Sequence, residues 1–245
     1  SQSPLNCFAL HFCLCRHDAA VFQRPLLRDS RGECLSAVIS AWQDQDFEGV
    51  AKLFDELWGW ELEGSEQEKR DISDLYIAGS ALACNRLRVI RENGDIAAYL
   101  GSVFYQNAPQ EQGLQDPSAF RQAAAVMESR LRSTPFGLES VEFNDLINEA
   151  NRKLKADMIA KGFKWQGELK LLMTSPLYQG RGMARLLIDD TFDEMRRCGI
   201  RDVILFTDSH CNWQYYEKTG WTLAAEHKWS FREEPIRALA YWKTI

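Results

Sequence analysis

Long hydrophobic runs are absent from this 245-residue sequence. A membrane-spanning helix needs about 20 consecutive, predominantly apolar residues, and no segment approaches that length. Basic charge is also scarce, because 35 acidic residues outnumber 29 lysines and arginines and give a net charge of -6. Proteins that bind nucleic acid usually present a basic face. We therefore expect neither a membrane partner nor a nucleic-acid partner.

Cysteine pairs with metal-binding or redox spacing are missing as well. The seven cysteines form no C-x-x-C pair, which is the spacing typical of zinc sites and redox dithiols. Cys13 and Cys15 lie near His11 and His17, but this arrangement matches no zinc motif. The sequence therefore predicts no metal site.

A secretory signal is not evident either. A signal peptide has a basic residue before its apolar segment and a small-residue cleavage site after it. Residues 6–15 are apolar, but neither feature accompanies them. Together with the odd number of cysteines, this favours a cytoplasmic protein. We predict an N-terminal extension of unknown order at 1–33 and a single domain at 34–245.

Two common phosphate-binding motifs fail in the most informative stretch. The P-loop pattern is absent, and Arg185 occupies the position that a glycine or alanine takes in the dinucleotide fingerprint. Instead, the short apolar strand predicted at Glu168–Thr174 is followed by Gly180 and Gly182 and then by helical periodicity. Such a junction directs free N–H groups and the positive end of a helix dipole toward one point. It predicts an anion site.

This stretch also carries a family resemblance. Gln179, Gly182 and Ala184, preceded by Pro-Leu-Tyr, form the pattern Gln-x-x-Gly-x-Ala. The pattern resembles the pyrophosphate loop of the GNAT superfamily of acyl-coenzyme-A-dependent N-acyltransferases. Downstream, residues 216–221 read Tyr-Glu-Lys-Thr-Gly-Trp and resemble the Tyr-x-Lys-x-Gly-Phe segment of the same superfamily. The resemblance spans roughly residues 35–245 and is strongest over 167–221.

Hydrophobic patterns predict the order of strands and helices along the chain. Strands are expected at 35–42, 86–91, 96–105, 168–174, 202–207, 222–229 and 237–245, the last two split by Glu233-Glu234-Pro235. Helices are expected from Asp44 or Asp46 to Gly59, as a short segment within 61–85, and at 117–132, 140–161, 184–198 and 212–219. Like the resemblance, this order predicts an α/β fold with a mixed, twisted central sheet of about seven strands flanked by helices. Residues 108–165 would form a helical insertion between strands three and four.

The resemblance implies a reaction and a donor. It implies transfer of an acetyl group from acetyl-coenzyme A to a primary amine by direct attack in a ternary complex, without a metal. The acceptor would be a small-molecule or protein amine, and a homodimer is left open. The residues that the resemblance assigns to the coenzyme are Leu172, Met173, Thr174, Gln179, Gly180, Arg181, Gly182, Met183, Ala184, Asn212 and Tyr216.

Two side chains receive catalytic roles from the resemblance. Glu168 would take the proton of the acceptor ammonium, and Tyr216 would protonate the departing thiolate. A backbone N–H of the strand, with Met173 as the candidate, would stabilise the oxyanion. Each residue has a structural alternative: Glu168 as a surface carboxylate at a strand end, Tyr216 as a core tyrosine, and Arg181 as a solvated turn residue. A catalytically silent acyl-coenzyme-A-binding protein and an O-acyltransferase are the alternative functions.

Overall fold

The computed structural model describes residues 38–59, 64–107 and 113–245. Its strands are β1 Val38–Ala41, β2 Arg86–Glu92, β3 Asp95–Phe104, β4 Gly167–Thr174, β5 Asp202–Asp208, β6 Thr222–Phe231 and β7 Glu234–Thr244. Its helices are α1 Phe47–Trp58, α2 Glu66–Leu82, α3 Pro117–Leu131, α4 Pro135–Ala160, α5 Met183–Arg197 and α6 Gln214–Lys218. The extension predicted at 1–33 and the expected start of the first strand lie outside the described residues. Within those residues, no helix combines the length and apolarity needed to cross a membrane.

All seven strands form one sheet in the order β1-β2-β3-β4-β5-β7-β6. Only the β4–β5 pair is parallel, and every other neighbouring pair is antiparallel. The predicted mixed α/β sheet is thereby confirmed. The Asn93-Gly94 pair between the strands expected at 86–91 and 96–105 predicts a tight antiparallel hairpin. The structure confirms it, since β2 and β3 pair antiparallel and Asn93 and Gly94 both have positive φ angles, 53° and 89°.

Two helices differ from expectation because of their N-terminal caps. In α2, which is 17 residues long rather than short, the Ser65 hydroxyl accepts the Glu68 N–H and the Glu68 carboxylate accepts the Ser65 N–H. For α4, the Thr134-Pro135 segment predicts a break between two helices, with the second helix beginning only at Ser140. Instead, Pro135 begins α4, because the Thr134 Oγ1 accepts the Gly137 N–H at 3.1 Å and proline suits the first helical position.

The turn between β6 and β7 is also tighter than predicted. Arg232 and Glu233 occupy the left-handed region with φ of 46° and 67°, so two residues suffice for the connection. Glu234 and Pro235 therefore belong to β7, pairing with Phe231 and Ser230 of β6.

The sheet carries helices on both faces. On one face, α5 and α6 pack over a core that includes Leu169, Leu187 and Tyr216. On the other face, α1 and α2 cover Leu171 and Met173, while α4 covers strands β5 to β7. Helix α3 packs against α2 and α4, so two helices lie between β3 and β4 in the chain.

A buried ion pair fixes α5 on its face. Arg86 of β2 contacts Glu194 of α5, and the guanidinium of Arg88 lies 3.4 Å from the same carboxylate. Arg86 is almost completely buried. Because a buried ion left without its partner is costly, this contact fixes the position of α5 and hence of the glycine turn before it.

Candidate active site

The sheet opens between β4 and β5. The two strands pair only over Gly167–Leu169 of β4, although they continue to Thr174 and Asp208. The β3–β4 register shifts at Lys170, which is an extra residue in β4. A bulge bends its strand and increases the local twist. Beyond Leu169, β4 therefore diverges from β5, and a gap separates the carboxyl ends of the two strands.

Backbone groups of β4 face this gap. The Ser175 N–H donates to the Ala97 oxygen of β3 at 2.9 Å. Because hydrogen-bonding direction alternates along an antiparallel pair, Met173 also bonds toward β3, whereas the N–H and C=O groups of Leu172 and Thr174 point toward β5. Those groups have no strand partner beyond the divergence. Leu172 and Thr174 are therefore better placed than Met173 to bond a ligand in the gap.

A glycine turn closes the open end of the gap. After a short 3-10 turn at Pro176–Tyr178, Gly180 and Gly182 adopt φ of 75° and 76°, a region that other residues rarely occupy. Gly182 is the N-cap of α5, no side chain caps it, and the first turn contains no acidic residue. The first N–H groups of α5 are therefore available to an anion.

Other residues predicted to bind the coenzyme surround this turn. Gln179 and Ala184 are partly exposed, whereas Met183 is buried. Arg181 contacts protein groups on both sides: its Nη1 lies 3.2 Å from Glu92 Oε1, and its guanidinium lies 5.1 Å from the centre of the Tyr178 ring. Arg181 thus ties the turn to the β2–β3 hairpin.

Tyr216 lies behind the gap on the α5 face. It is fully buried, and its ring centre lies 5.5 Å from that of Tyr241 and 6.2 Å from that of Trp221. It belongs to the same buried cluster as Leu172 and Met183, so the structure brings the two predicted motifs together. Asn212 is partly exposed, two residues before α6.

Glu168 lies at the closed end of the gap, and the alternative of a surface carboxylate is wrong. Its side chain is completely buried because α4 covers it. Lys155 Nζ lies 3.0 Å and Lys170 Nζ 2.9 Å from its oxygens, and the Tyr105 hydroxyl donates to it at 2.5 Å. Burial alone would raise the pKa of Glu168, but Lys170, Lys155 and Tyr105 outweigh burial and hold the pKa below its usual range. Glu168 is an ionised, neutralised carboxylate.

Asp208, which sequence reasoning missed, ends β5 at the open side of the gap. It is 6% exposed, and burial raises its pKa to about 7, although the His210 N–H and the Cys211 thiol bond to it. Its sequence signal is a lone carboxylate at the carboxyl end of the most apolar strand, where α/β sheets commonly bind ligands. No group of three or more metal-ligating side chains occurs in the described parts of the chain.

Comparison with known families accounts for this arrangement. Residues 148–221 match the model of the acetyltransferase (GNAT) family. This segment belongs to the GNAT family. It contains the closed end of the gap, the glycine turn, α5, β5 and Tyr216, which are the parts of the site described above. The match indicates an acyltransferase segment, and GNAT family members bind acetyl-coenzyme A. No curated protein matches the chain.

Several solved structures resemble this chain at low sequence identity. PH1933 from Pyrococcus horikoshii OT3 has a TM-score of 0.52 at 12% identity, over 86% of this chain and 99% of that one. The ribosomal-protein-S18-alanine N-acetyltransferase from Escherichia coli has a TM-score of 0.48 at 13% identity, covering 85% and 93%. The protein yncA from Salmonella typhimurium, solved with its cofactor acetyl-CoA, has a TM-score of 0.45 at 14% identity, over 86% of this chain and 94% of that one. At such identities, PH1933 shows a likeness of fold alone.

Proposed function

We propose that this chain transfers an acetyl group from acetyl-coenzyme A to a primary amine by direct attack in a ternary complex. One observation carries the proposal: the gap between β4 and β5 ends at the uncapped N-terminus of α5. An extended polar arm with an anion at its end fits this combination. A nucleotide without such an arm would leave the strand groups in the gap unpaired.

The chain's own groups fit the coenzyme along its length. The N–H groups at Gly180, Gly182 and the start of α5 would hold the pyrophosphate, since the glycines allow close approach of the main chain. The backbone of Leu172 and Thr174 would bond the pantetheine arm as an additional strand partner. Gln179, Arg181, Met183, Ala184 and Asn212 complete the proposed surface, with Met173 packing beneath it.

Acetyl transfer needs an oxyanion donor and an acid for the leaving thiolate. The N–H group of Leu172 faces the gap and would stabilise the oxyanion, which leaves the Leu172 C=O and the Thr174 backbone for the pantetheine arm. Tyr216 would supply the proton, because a phenol with a pKa of about 10 can protonate a thiolate whose conjugate acid has a pKa of about 8.5. Its position in the cluster that contains Leu172 supports this role.

Glu168 stays a predicted base. It lies buried on the α4 face at the closed end of the gap, and its ion pairs lower its proton affinity. Replacing a true base with an amide side chain lowers turnover and removes the acidic limb of the pH profile.

The function is tested by thiol release from acetyl-coenzyme A across a panel of primary amines and alcohols, with coenzyme binding measured in parallel by calorimetry. We expect amine-dependent thiol release and acetylated amine in the product. Coenzyme binding without turnover on the whole panel would identify a silent binding protein, and turnover confined to alcohols would identify an O-acyltransferase. Absence of coenzyme binding would overturn the site itself.

A further inference from the structure

Asp208 lies on the face of the sheet opposite Tyr216. Ile204 and Phe206 of β5 pack beneath α4, and alternate residues of a strand share a face, so Asp208 belongs to the α4 face. It lies four residues beyond Ile204, the partner of Glu168, which is roughly 13 Å along the strand. Asp208 therefore borders the open part of the gap, whereas Glu168 lies at its closed end.

A small cavity adjoins Asp208. Its walls include Asn151, Thr207, Trp229 and Ala238, and its volume is about 10 Å³, enough for one water or one ammonium group. The Trp229 indole nitrogen, in a residue of the cavity wall, is buried without a hydrogen-bond partner. Buried polar atoms are nearly always bonded, so this atom indicates a ligand or water beside Asp208.

An apolar pocket lies next to this cavity, between α2, α3 and α4. Its volume is about 30 Å³, which accommodates a short alkyl group rather than a long chain. Its walls include the apolar Leu75 and Val141 together with Tyr76, Phe143 and Asn144.

Shared walls connect the pocket to the cavity. The ring of Phe143 lies in the pocket wall and 5.6 Å from the ring of Trp229 in the cavity wall. Tyr76 lies in the pocket wall close enough to Asp208 and Cys211 that, after burial, these two groups contribute to raising its pKa. The apolar pocket and the carboxylate are therefore neighbouring parts of one surface.

We propose that Asp208 binds the ammonium group of the acceptor and takes its proton, while the apolar pocket holds a compact aliphatic group of the same amine. This inference rests on the proposed acetyltransferase function and names its substrate class. Charge favours Asp208 over Glu168: Glu168 already contacts two lysines, whereas the groups bonded to Asp208 are N–H groups and a thiol, none of them a cation.

The protons balance in this scheme. The ammonium gives one proton to Asp208, which later releases it to solvent. The neutral amine forms the C–N bond to the acetyl carbon, and the C–S bond breaks with its electron pair on sulfur. The thiolate takes a proton from Tyr216, and the amide nitrogen returns one to Tyr216. The products are the acetamide, coenzyme A and one proton.

The raised pKa fits this role, because a base works best when its pKa is near the operating pH, and that of Asp208 is about 7. The titratable groups that face Asp208 are Tyr76 from α2, and His210 and Cys211 from the segment before α6. Helix α4 contributes the uncharged Asn151.

The decisive experiment compares Asp208→Asn with Asp202→Asn, a matched change at the other end of β5. The amide oxygen of the introduced asparagine can still accept the His210 N–H, so the local turn is retained. With butylamine as the acceptor, we expect kcat/KM to fall about 100-fold or more in Asp208→Asn and to change little in Asp202→Asn. Coenzyme A affinity should be unchanged in both.

The pH profile separates a base from a structural residue. In the native protein, kcat/KM should rise with pH to a plateau above about 7. In Asp208→Asn only free amine reacts, so kcat/KM should rise tenfold per pH unit without a break until the pKa of the amine, about 10. A profile that keeps its break near pH 7 in the variant would overturn the role of Asp208.

The pocket is tested separately with Asn144→Phe, a partly exposed position where a ring reduces the pocket volume. We expect KM for butylamine to rise about tenfold while KM for methylamine stays the same. Equal effects on both amines, or none, would refute the pocket assignment. If native protein binds coenzyme A but acetylates no amine, the proposed function fails. If it acetylates amines and both variants behave like native protein, only the present inference fails.

Discussion

Replacing Asp208 with asparagine should make the protein more stable above neutral pH. The pKa of this carboxyl rises from 3.8 to about 7 on folding because the group is buried. Between these values the folded chain binds a proton that the unfolded chain has lost, so the contribution of Asp208 to stability is present at low pH and is lost as pH rises toward 7. Above pH 7 the fold contains a buried, unneutralised carboxylate.

The size of the effect follows from the pKa change. A rise of about three pKa units at about 1.4 kcal/mol each gives about 4 kcal/mol at most. Asparagine resembles the protonated carboxyl in shape and charge, so Asp208→Asn should recover as much as about 4 kcal/mol at pH 8 and almost nothing at pH 4.

Urea unfolding of both proteins at several pH values between 4 and 8.5 measures this difference, because all other titrating groups are common to the two chains. Asp202→Asn controls for loss of one negative charge from an acidic protein. A variant no more stable than native protein at pH 8 would show that the Asp208 carboxylate is neutralised in the fold. A gain in stability combined with loss of turnover is the pattern expected of a residue kept for function.

Three further changes test the rest of the site. Tyr216→Phe should lower kcat about 100-fold with coenzyme affinity retained; an unchanged kcat in steady-state assays removes Tyr216 from the mechanism. Gly182→Val should weaken coenzyme A binding at least tenfold by calorimetry, because a side chain obstructs the turn, whereas Gly199→Val, with the same φ of 76° at the other end of α5, should cost stability without affecting binding; equal affinities would refute the turn as a pyrophosphate site. Glu168→Gln should destabilise the fold by about 2 kcal/mol, since Lys155 and Lys170 lose their counter-ion. The folded-state pKa of Glu168 is lowered, so its contribution to stability is present above the pKa of the unfolded chain and is lost as pH falls. The destabilisation should therefore shrink at low pH, and a pH-independent loss in urea unfolding would contradict the ion-pair account.

Local sequence signals predicted most of the secondary structure and the anion-binding turn. The Asn93-Gly94 turn, the Asp116-Pro117 helix start and the two glycines before α5 act through dihedral preferences and nearby hydrogen bonds. Such effects extend over only a few residues, so the sequence reveals them. The differences at α2, α4 and the β6–β7 turn involve local signals of the same kind, such as the Ser65–Glu68 capping pair, and are therefore also present in the sequence.

Tertiary structure alone decided the environments of the two carboxylates. Glu168 lies at the start of one short apolar strand and Asp208 at the end of another. No local pattern distinguishes a surface acid from a buried one. Helix α4 brings Lys155 onto Glu168 from 13 residues away, whereas no cation contacts Asp208 among the described ion pairs. Charge interactions depend on distance in space and on burial, so one carboxylate is neutralised by two lysines at the closed end of the gap, whereas the pKa of the other is raised by burial at the open end.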